Sequence, residues 1–67
     1  MKSVSGKRLA NILEKKGWVL VDVNGSHFKY CKGNRIAVIP IHGNKDLRIG
    51  TLKSIMKQAN LTEDDLL

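Results

Sequence analysis

The sequence has a single cysteine, a single proline and only three aromatic residues. Cys31 alone cannot form an intrachain disulfide, and the chain lacks the spaced cysteines and histidines of a structural zinc site. The longest apolar run, Ile36 to Ile41, has six residues and includes Pro40, so it is far too short to span a membrane. The first residues also lack the apolar stretch of a secretory signal. We therefore expect a cytoplasmic protein in which Cys31 is a small buried apolar residue.

Acidic residues are scarce as well. The 67 residues include 12 lysines and arginines but only six aspartates and glutamates, and three of these acids are adjacent near the C-terminus. Residues 1–62 therefore carry a net charge of +9. A chain of this length forms one small domain, which we place at residues 1–67. Such a basic domain predicts a polyanionic partner, and a nucleic acid fits better than a membrane because both predicted helices need their apolar faces for the core.

Glycine and asparagine residues divide the first two thirds of the chain into a helix and three strands. The helix is predicted over residues 6–16, because Ser5 can cap its start and Gly17 can end it. Three segments rich in β-branched and aromatic residues follow, separated by two tight turns. The strands are expected over 18–23, 26–31 and 35–39, with turns at Asn24-Gly25 and at Lys32-Gly33-Asn34.

The sequence of the last third of the chain indicates a loop, a second helix and a short capped turn. The helix begins between Asp46 and Gly50 and ends before Asn60. Thr62 and Asp65 have the spacing of a capping box. The order α-β-β-β-α predicts an α+β fold in which two helices cover one face of a three-stranded antiparallel sheet. The buried stripe of the second helix is predicted to be Ile49, Leu52, Ile55, Met56 and Ala59.

The second strand is predicted to carry a histidine and a lysine on the uncovered face of the sheet. Phe28 and Tyr30 alternate with His27 and Lys29, and the aromatic pair is the natural inward set. Because an imidazole can accept a proton near neutral pH, His27 could take the 2′-hydroxyl proton of RNA. Lys29 could then neutralise the charge that develops on the adjacent phosphate.

The turn before this histidine has residues suited to a phosphate. Gly25 allows close backbone approach, and the hydroxyl of Ser26 can bond a phosphate oxygen. Spacing alone nevertheless favours the simpler interpretation, in which His27 is a polar residue on a solvated strand, because single histidines are common and few are catalytic.

A second histidine, His42, lies in the predicted loop. It could act as a general acid or contact a phosphate, but the preferred interpretation is that its ring bonds a backbone carbonyl and holds the loop. The two histidines are not spaced with Asp22 or Asp46 as a metal site, so metal dependence is disfavoured. Trp18 is expected in the core or at the sheet edge rather than as a platform for a base.

An ordered set of motifs runs through nearly the whole chain: Ser5-Gly6-Lys7, Leu9, Leu13, Gly17-Trp18, Gly25-Ser26-His27, Tyr30, Pro40-Ile41-His42-Gly43, Lys45-Asp46-Leu47, Gly50-Thr51-Leu52, Ile55, Lys57-Gln58-Ala59 and Leu61. Taken together, these segments resemble a known family, the HicA (YcfA-like) toxins of bacterial toxin–antitoxin pairs. The sequence departs from that family at Ile49, where many relatives have proline, and at Trp18, where many have phenylalanine.

The resemblance implies a fold similar to the double-stranded-RNA-binding domain and a specific activity. HicA proteins are ribosome-independent mRNA interferases whose essential histidine corresponds to His27, and a cognate HicB antitoxin masks that histidine. The resemblance therefore favours a catalytic role for His27, whereas spacing alone favoured a polar residue on a solvated strand. The hypothesis is a metal-independent endoribonuclease that needs no cofactor, is monomeric when free, cleaves mRNA with His27 as general base, and binds RNA through Gly25, Ser26, Lys29, Lys7, Arg8, Arg48 and Lys53.

Two other classes of function are kept open by the residues themselves. One is a non-catalytic RNA-binding module of the double-stranded-RNA-binding type, although its expected lysine cluster at the start of the second helix is reduced here to Arg48 and Lys53. The other is a small interaction domain whose positive face binds an acidic protein. Cleavage of RNA, as opposed to binding alone, distinguishes the enzyme from the first of these.

Overall fold

The computed structural model describes all 67 residues, Met1–Leu67. The elements are α1 (Gly6–Lys15), β1 (Val19–Asn24), β2 (His27–Lys32), β3 (Arg35–Pro40), α2 (Ile49–Ala59) and a C-terminal 3-10 turn (Glu63–Leu66). The three strands form one antiparallel sheet in the order β1-β2-β3, so β2 is the central strand. This confirms the predicted α+β fold and its order α-β-β-β-α. Neither helix has the length and apolar character needed to cross a lipid bilayer.

Helix α1 begins where its sequence predicts and ends one residue earlier. The Ser5 hydroxyl oxygen accepts a hydrogen bond of 3.1 Å from the backbone N–H of Arg8, which gives a partner to one of the free amides of the first turn. At the other end, Lys16 takes the C-cap position ahead of Gly17 and is not itself helical. The residues that α1 buries are Gly6, Leu9, Ala10 and Leu13.

The first hairpin turns one residue later than predicted. Asn24 pairs with His27, so the loop residues are Gly25 and Ser26 rather than Asn24 and Gly25. The difference has a backbone cause, because Gly25 takes the positive φ of the turn, at +61°, while Asn24 stays within β1. As a result, β2 begins at His27 itself.

The second hairpin keeps β2 paired along its whole length. Lys32 pairs with Arg35, which leaves residues 33–34 as the turn, close to the prediction. Strand β3 continues one residue beyond its predicted end and includes Pro40, which is tolerated because β3 is an edge strand. His27, at the start of β2, is therefore held between β1 and β3.

The sheet buries only one face. Tyr30 is 2% exposed and Phe28 is half-buried against the core, as predicted for the inward pair. On the opposite face His27 is exposed and Lys29 is half-buried. The prediction that Cys31 is buried is wrong: it is half-buried, because the alternation along β2 places it with His27 and Lys29.

The core lies between the helices and this inner face. Helix α2 packs on β3, and α1 contacts both β3 and β1. Trp18, just before β1, is buried as predicted. Strand β1 itself receives little cover, and all six of its residues are exposed. The largest fully buried side chains are Leu9, Leu13, Ile39 and Leu52.

Helix α2 starts at Ile49, within the predicted interval, and ends at Ala59, because Asn60 takes a left-handed φ of +56° as the C-cap residue. Four of the five residues of its predicted buried stripe are buried. Ile49 is the exception at 38% exposed, because the first turn of α2 extends past the buried cluster.

The C-terminal segment is fixed to α1. Thr62 and Asp65 form the predicted capping box, in which the Thr62 backbone N–H donates to the Asp65 carboxylate at 2.8 Å. The same carboxylate makes a salt bridge of 2.9 Å with Lys16. Leu66 is buried, whereas Leu67 is 94% exposed.

Candidate nucleic-acid interface

The turn between β1 and β2 leads directly to an exposed imidazole. A Cβ placed on Gly25 would meet no atom within 4 Å, so a ligand can approach the backbone of this turn closely. Ser26 is half-buried and His27 is exposed. Neither side chain makes a hydrogen bond to another protein group. The ring nitrogens of His27 are therefore available to a ligand.

Lys29 brings a positive charge to the same face. It is two residues beyond His27 on β2 and pairs with Asp22 on β1 and Val38 on β3. The salt bridge between Lys16 and the C-terminal segment is the only one in the protein, so the Lys29 ammonium is not neutralised by contact with Asp22. An imidazole and an unpaired ammonium side by side can together accept a proton and balance the charge of a phosphate.

The start of α1 lies at the end of the sheet that carries His27. His27 pairs with Pro40, and the ladder continues by one bond in which the Ile41 N–H donates to the Ser26 carbonyl at 2.8 Å. Gly6 lies directly against this segment, since a Cβ on Gly6 would be 2.5 Å from the Pro40 carbonyl oxygen. The first turn of α1 is therefore held against the strand end beside the β1–β2 turn.

The start of α2 is close to this end as well. Arg48 is the N-cap residue of α2 and lines a cavity of about 360 Å³ together with His42, Lys45 and Pro40. The expected bond from the His42 ring to a backbone carbonyl is absent. Instead the loop is closed by its main chain, because the Lys45 N–H donates to the His42 carbonyl at 3.0 Å. That part of the prediction is wrong, and the His42 ring is exposed.

The residues expected to bind RNA are only partly brought together. Gly25, Ser26 and Lys29 adjoin His27, and Lys7 and Arg48 belong to the helix starts at the same end. The other two, Arg8 and Lys53, are not part of this group. The Arg8 guanidinium donates to the Leu66 carbonyl at 2.8 Å and holds the C-terminal segment, and Lys53 is exposed farther along α2.

Two basic residues at the opposite end of the sheet have a structural role that the sequence did not suggest. The Lys32 ammonium donates to the Lys16 carbonyl at 2.6 Å, and the Arg35 guanidinium donates to the Gln58 carbonyl at 3.3 Å. Both carbonyls lie at the C-terminal ends of helices, where cations are favourable partners. The β2–β3 turn thus supports both helix ends.

Two ionisable groups have shifted pKa values, and neither belongs to the open face. Burial, together with the hydrogen bond and the charge of Glu14, raises the pKa of Tyr30 to about 12. The backbone N–H of Thr62 and the ammonium of Lys16 hold the pKa of the Asp65 carboxyl below its usual value. No three histidine, cysteine, aspartate or glutamate side chains come together as a group able to hold a metal ion.

Comparison with known proteins identifies the family. The family model described as the HicA toxin of bacterial toxin–antitoxin systems matches residues 6–61. The chain belongs to the HicA toxin family. Among curated protein sequences, none matches this chain. HicA membership gives the chain the role of the toxin in a toxin–antitoxin pair and, in general terms, that of a nuclease. The part of the chain matched to HicA runs from the first residue of α1 to just beyond α2, and so includes His27 and the whole sheet.

Proposed function

We propose that this HicA toxin is a ribosome-independent endoribonuclease that cleaves mRNA with His27 as its general base. The observation that carries the proposal is the exposed imidazole of His27, free of protein hydrogen bonds and next to the open turn at Gly25. In its neutral form the ring removes the proton of a ribose 2′-hydroxyl. The resulting oxygen attacks the adjacent phosphorus, so the RNA itself supplies the nucleophile.

The positive charge of the domain supports binding of the RNA backbone. Lys29 lies two residues from His27 and balances the charge that develops on the attacked phosphate. The turn at Gly25 and Ser26 offers backbone amides and a hydroxyl to phosphate oxygens. The net charge of +9 over residues 1–62 attracts single-stranded or loosely structured mRNA to the domain.

The proposed reaction needs neither a metal ion nor another cofactor. A 2′-hydroxyl is already positioned beside its own phosphate, and a histidine base with nearby cations supplies the proton transfer and the charge balance. Cleavage is therefore expected to continue at full rate in EDTA. Loss of activity in EDTA that a divalent ion restores would contradict this part of the proposal.

The partner of the toxin is proposed to be a cognate HicB-like antitoxin that covers His27. Membership in a toxin–antitoxin family supports a protein partner in general. Because His27 is exposed, a protein that covers the open face would exclude RNA from it without changing the fold of the toxin. Free of its antitoxin, the toxin is proposed to be a monomer in the cytoplasm.

Cleavage of a purified mRNA by the His27→Ala variant tests the proposal. The expected loss is on the order of 10²- to 10⁴-fold, the usual contribution of a general base. Asn24→Ala is the matched control, since Asn24 is exposed and pairs directly with His27 across the hairpin. Wild-type activity in His27→Ala would refute the assignment. Wild-type protein that binds RNA without cutting it would favour the non-catalytic RNA-binding module.

A further inference from the structure

Strand pairing and side-chain alternation indicate that a second histidine, His42, lies on the same side of the sheet as His27. Antiparallel pairing continues past β3 through the bond from Ile41 to Ser26, so His42 follows opposite the β1–β2 turn. The Ile41 side chain packs against the core. Because side chains alternate along an extended chain, Pro40 and His42 fall on the outer side with His27. Diagonal neighbours on paired strands have Cα atoms about 7–8 Å apart, which is close enough for both rings to contact one phosphodiester.

The His42 ring has no structural task. Its loop is held by main-chain bonds: the Lys45 N–H donates to the His42 carbonyl at 3.0 Å, and the Leu47 N–H donates to the Val4 carbonyl at 2.9 Å. Asp46 forms an isolated β-bridge with Ser5. The ring itself is exposed and makes no hydrogen bond within the protein.

The surroundings of His42 suit a phosphate. The cavity of about 360 Å³ beside it is lined by the cations Lys45 and Arg48 and by one carboxylate, Asp46. These three groups line the cavity with His42, and His27 lies diagonally across the ladder from it. Two cations against one carboxylate leave this cavity positive, as a site for an anionic backbone requires.

We propose that His42 is the general acid that protonates the leaving oxygen, an inference that rests on the proposed function. His27 removes the 2′-hydroxyl proton, the 2′-oxygen forms a bond to phosphorus, and the bond from phosphorus to the 5′-oxygen breaks. The 5′-oxygen takes its proton from the His42 imidazolium. The products are a 2′,3′-cyclic phosphate and a 5′-hydroxyl. No further reactant is consumed, and the proton gained by His27 balances the one lost by His42.

Replacing the leaving 5′-oxygen of one linkage with sulfur tests this role. A thiolate leaves without a proton, so a general acid becomes unnecessary. With all-oxygen RNA, His42→Ala is expected to cleave more slowly by on the order of 10²- to 10⁴-fold. With the sulfur-substituted linkage, it is expected to cleave at close to the wild-type rate, whereas His27→Ala stays slow on both substrates. The substitution is placed at a linkage that the wild-type protein cuts.

Two controls separate chemistry from folding and from binding. Asn44→Ala, an exposed change in the same loop, should keep both rates. His42→Gln, which retains a polar side chain, should repeat the pattern of His42→Ala. His42 variants that are equally slow on both substrates, or fast on both, would overturn the general-acid role while leaving His27 in place. A wild-type protein that cuts neither substrate would overturn the proposed function itself.

Discussion

The hydroxyl of Tyr30 donates a hydrogen bond of 2.7 Å to the carboxylate of Glu14, and so joins the strand that begins at His27 to α1. The tyrosine is buried and the carboxylate lies at the surface. Burial and the neighbouring negative charge disfavour the phenolate, which is why the pKa of Tyr30 rises to about 12. The central strand is thus anchored three residues beyond His27, on the face opposite to its imidazole.

The first prediction concerns this bond. Tyr30→Phe is expected to lower the free energy of unfolding by about 1 kcal/mol at neutral pH, because one hydrogen bond is lost and the ring stays buried. A raised pKa stabilises the fold fully below the ordinary value of 10.0, and this contribution is lost as the pH rises towards about 12. Denaturant unfolding should therefore show a smaller difference in the free energy of unfolding between wild type and variant at pH 11 than at pH 8. A constant difference would contradict the assignment.

The second prediction concerns acid stability at the C-terminal turn. The pKa of Asp65 is lowered chiefly by the Thr62 N–H and then by Lys16. A lowered pKa stabilises the fold above the ordinary value of 3.8, and this contribution is lost as the pH falls through the value in the folded protein. The melting temperature of Asp65→Ala should thus lie below that of wild type at pH 7, and the two should converge as the pH falls below the pKa of Asp65 in the folded protein. Asp64→Ala, whose side chain has no partner, should match wild type throughout.

The third prediction compares two glycines in first turns. An added methyl at Gly6 would lie 2.5 Å from the Pro40 carbonyl oxygen, whereas at Gly50 it would meet nothing within 4 Å. Gly6→Ala is expected to cost about 1–3 kcal/mol of stability, since backbone must move. Gly50→Ala should gain about 0.5–1 kcal/mol, because glycine is the poorer helix residue. Thermal unfolding should show a lower melting temperature for Gly6→Ala and a higher one for Gly50→Ala. Equal shifts in melting temperature would show that α1 does not lie against Pro40.

The fourth prediction concerns the open face and rests on the proposed function. Lys29→Gln should weaken binding to single-stranded RNA and reduce the slope of log K against log salt by about 0.7, the value for one phosphate contact. Titrations between about 50 and about 200 mM salt measure the slope. Lys57→Gln is the control, because Lys57 lies in the last turn of α2, at the far end from His27. An unchanged slope in Lys29→Gln would remove Lys29 from the interface.

The element order was predictable because its signals are local. Ser5 caps α1, and Asn60 ends α2 through a left-handed backbone conformation, and each acts within a few residues of its own position. The first hairpin was misplaced by one residue because Asn24 and Gly25 both tolerate the turn, and only the pairing of the strands decides which one takes the positive φ.

The site was less predictable because it depends on contacts between distant parts of the chain. His27 was singled out by its motif and its alternation on β2, and both are visible in the sequence. In contrast, Arg8 binds a carbonyl 58 residues away, and Arg35 binds one 23 residues away. Sequence alone does not distinguish a basic residue that caps a helix or holds a terminus from one that binds an anionic ligand. The residues that surround His42 likewise come together only when the loop folds against the start of α2, so they could not be predicted from the sequence.

The exposure of β1 has a consequence for the dynamics of the sheet. Because its six residues bury little apolar surface, β1 is held largely by backbone hydrogen bonds to β2, which contribute little net free energy in water. We expect β1 to open first in native-state hydrogen exchange. Strand β2 should keep its pairing with β3 and its Tyr30 anchor during such openings. Local opening of the sheet would then be confined to β1, and His27 would keep its position on β2 while β1 detaches and re-forms its pairing.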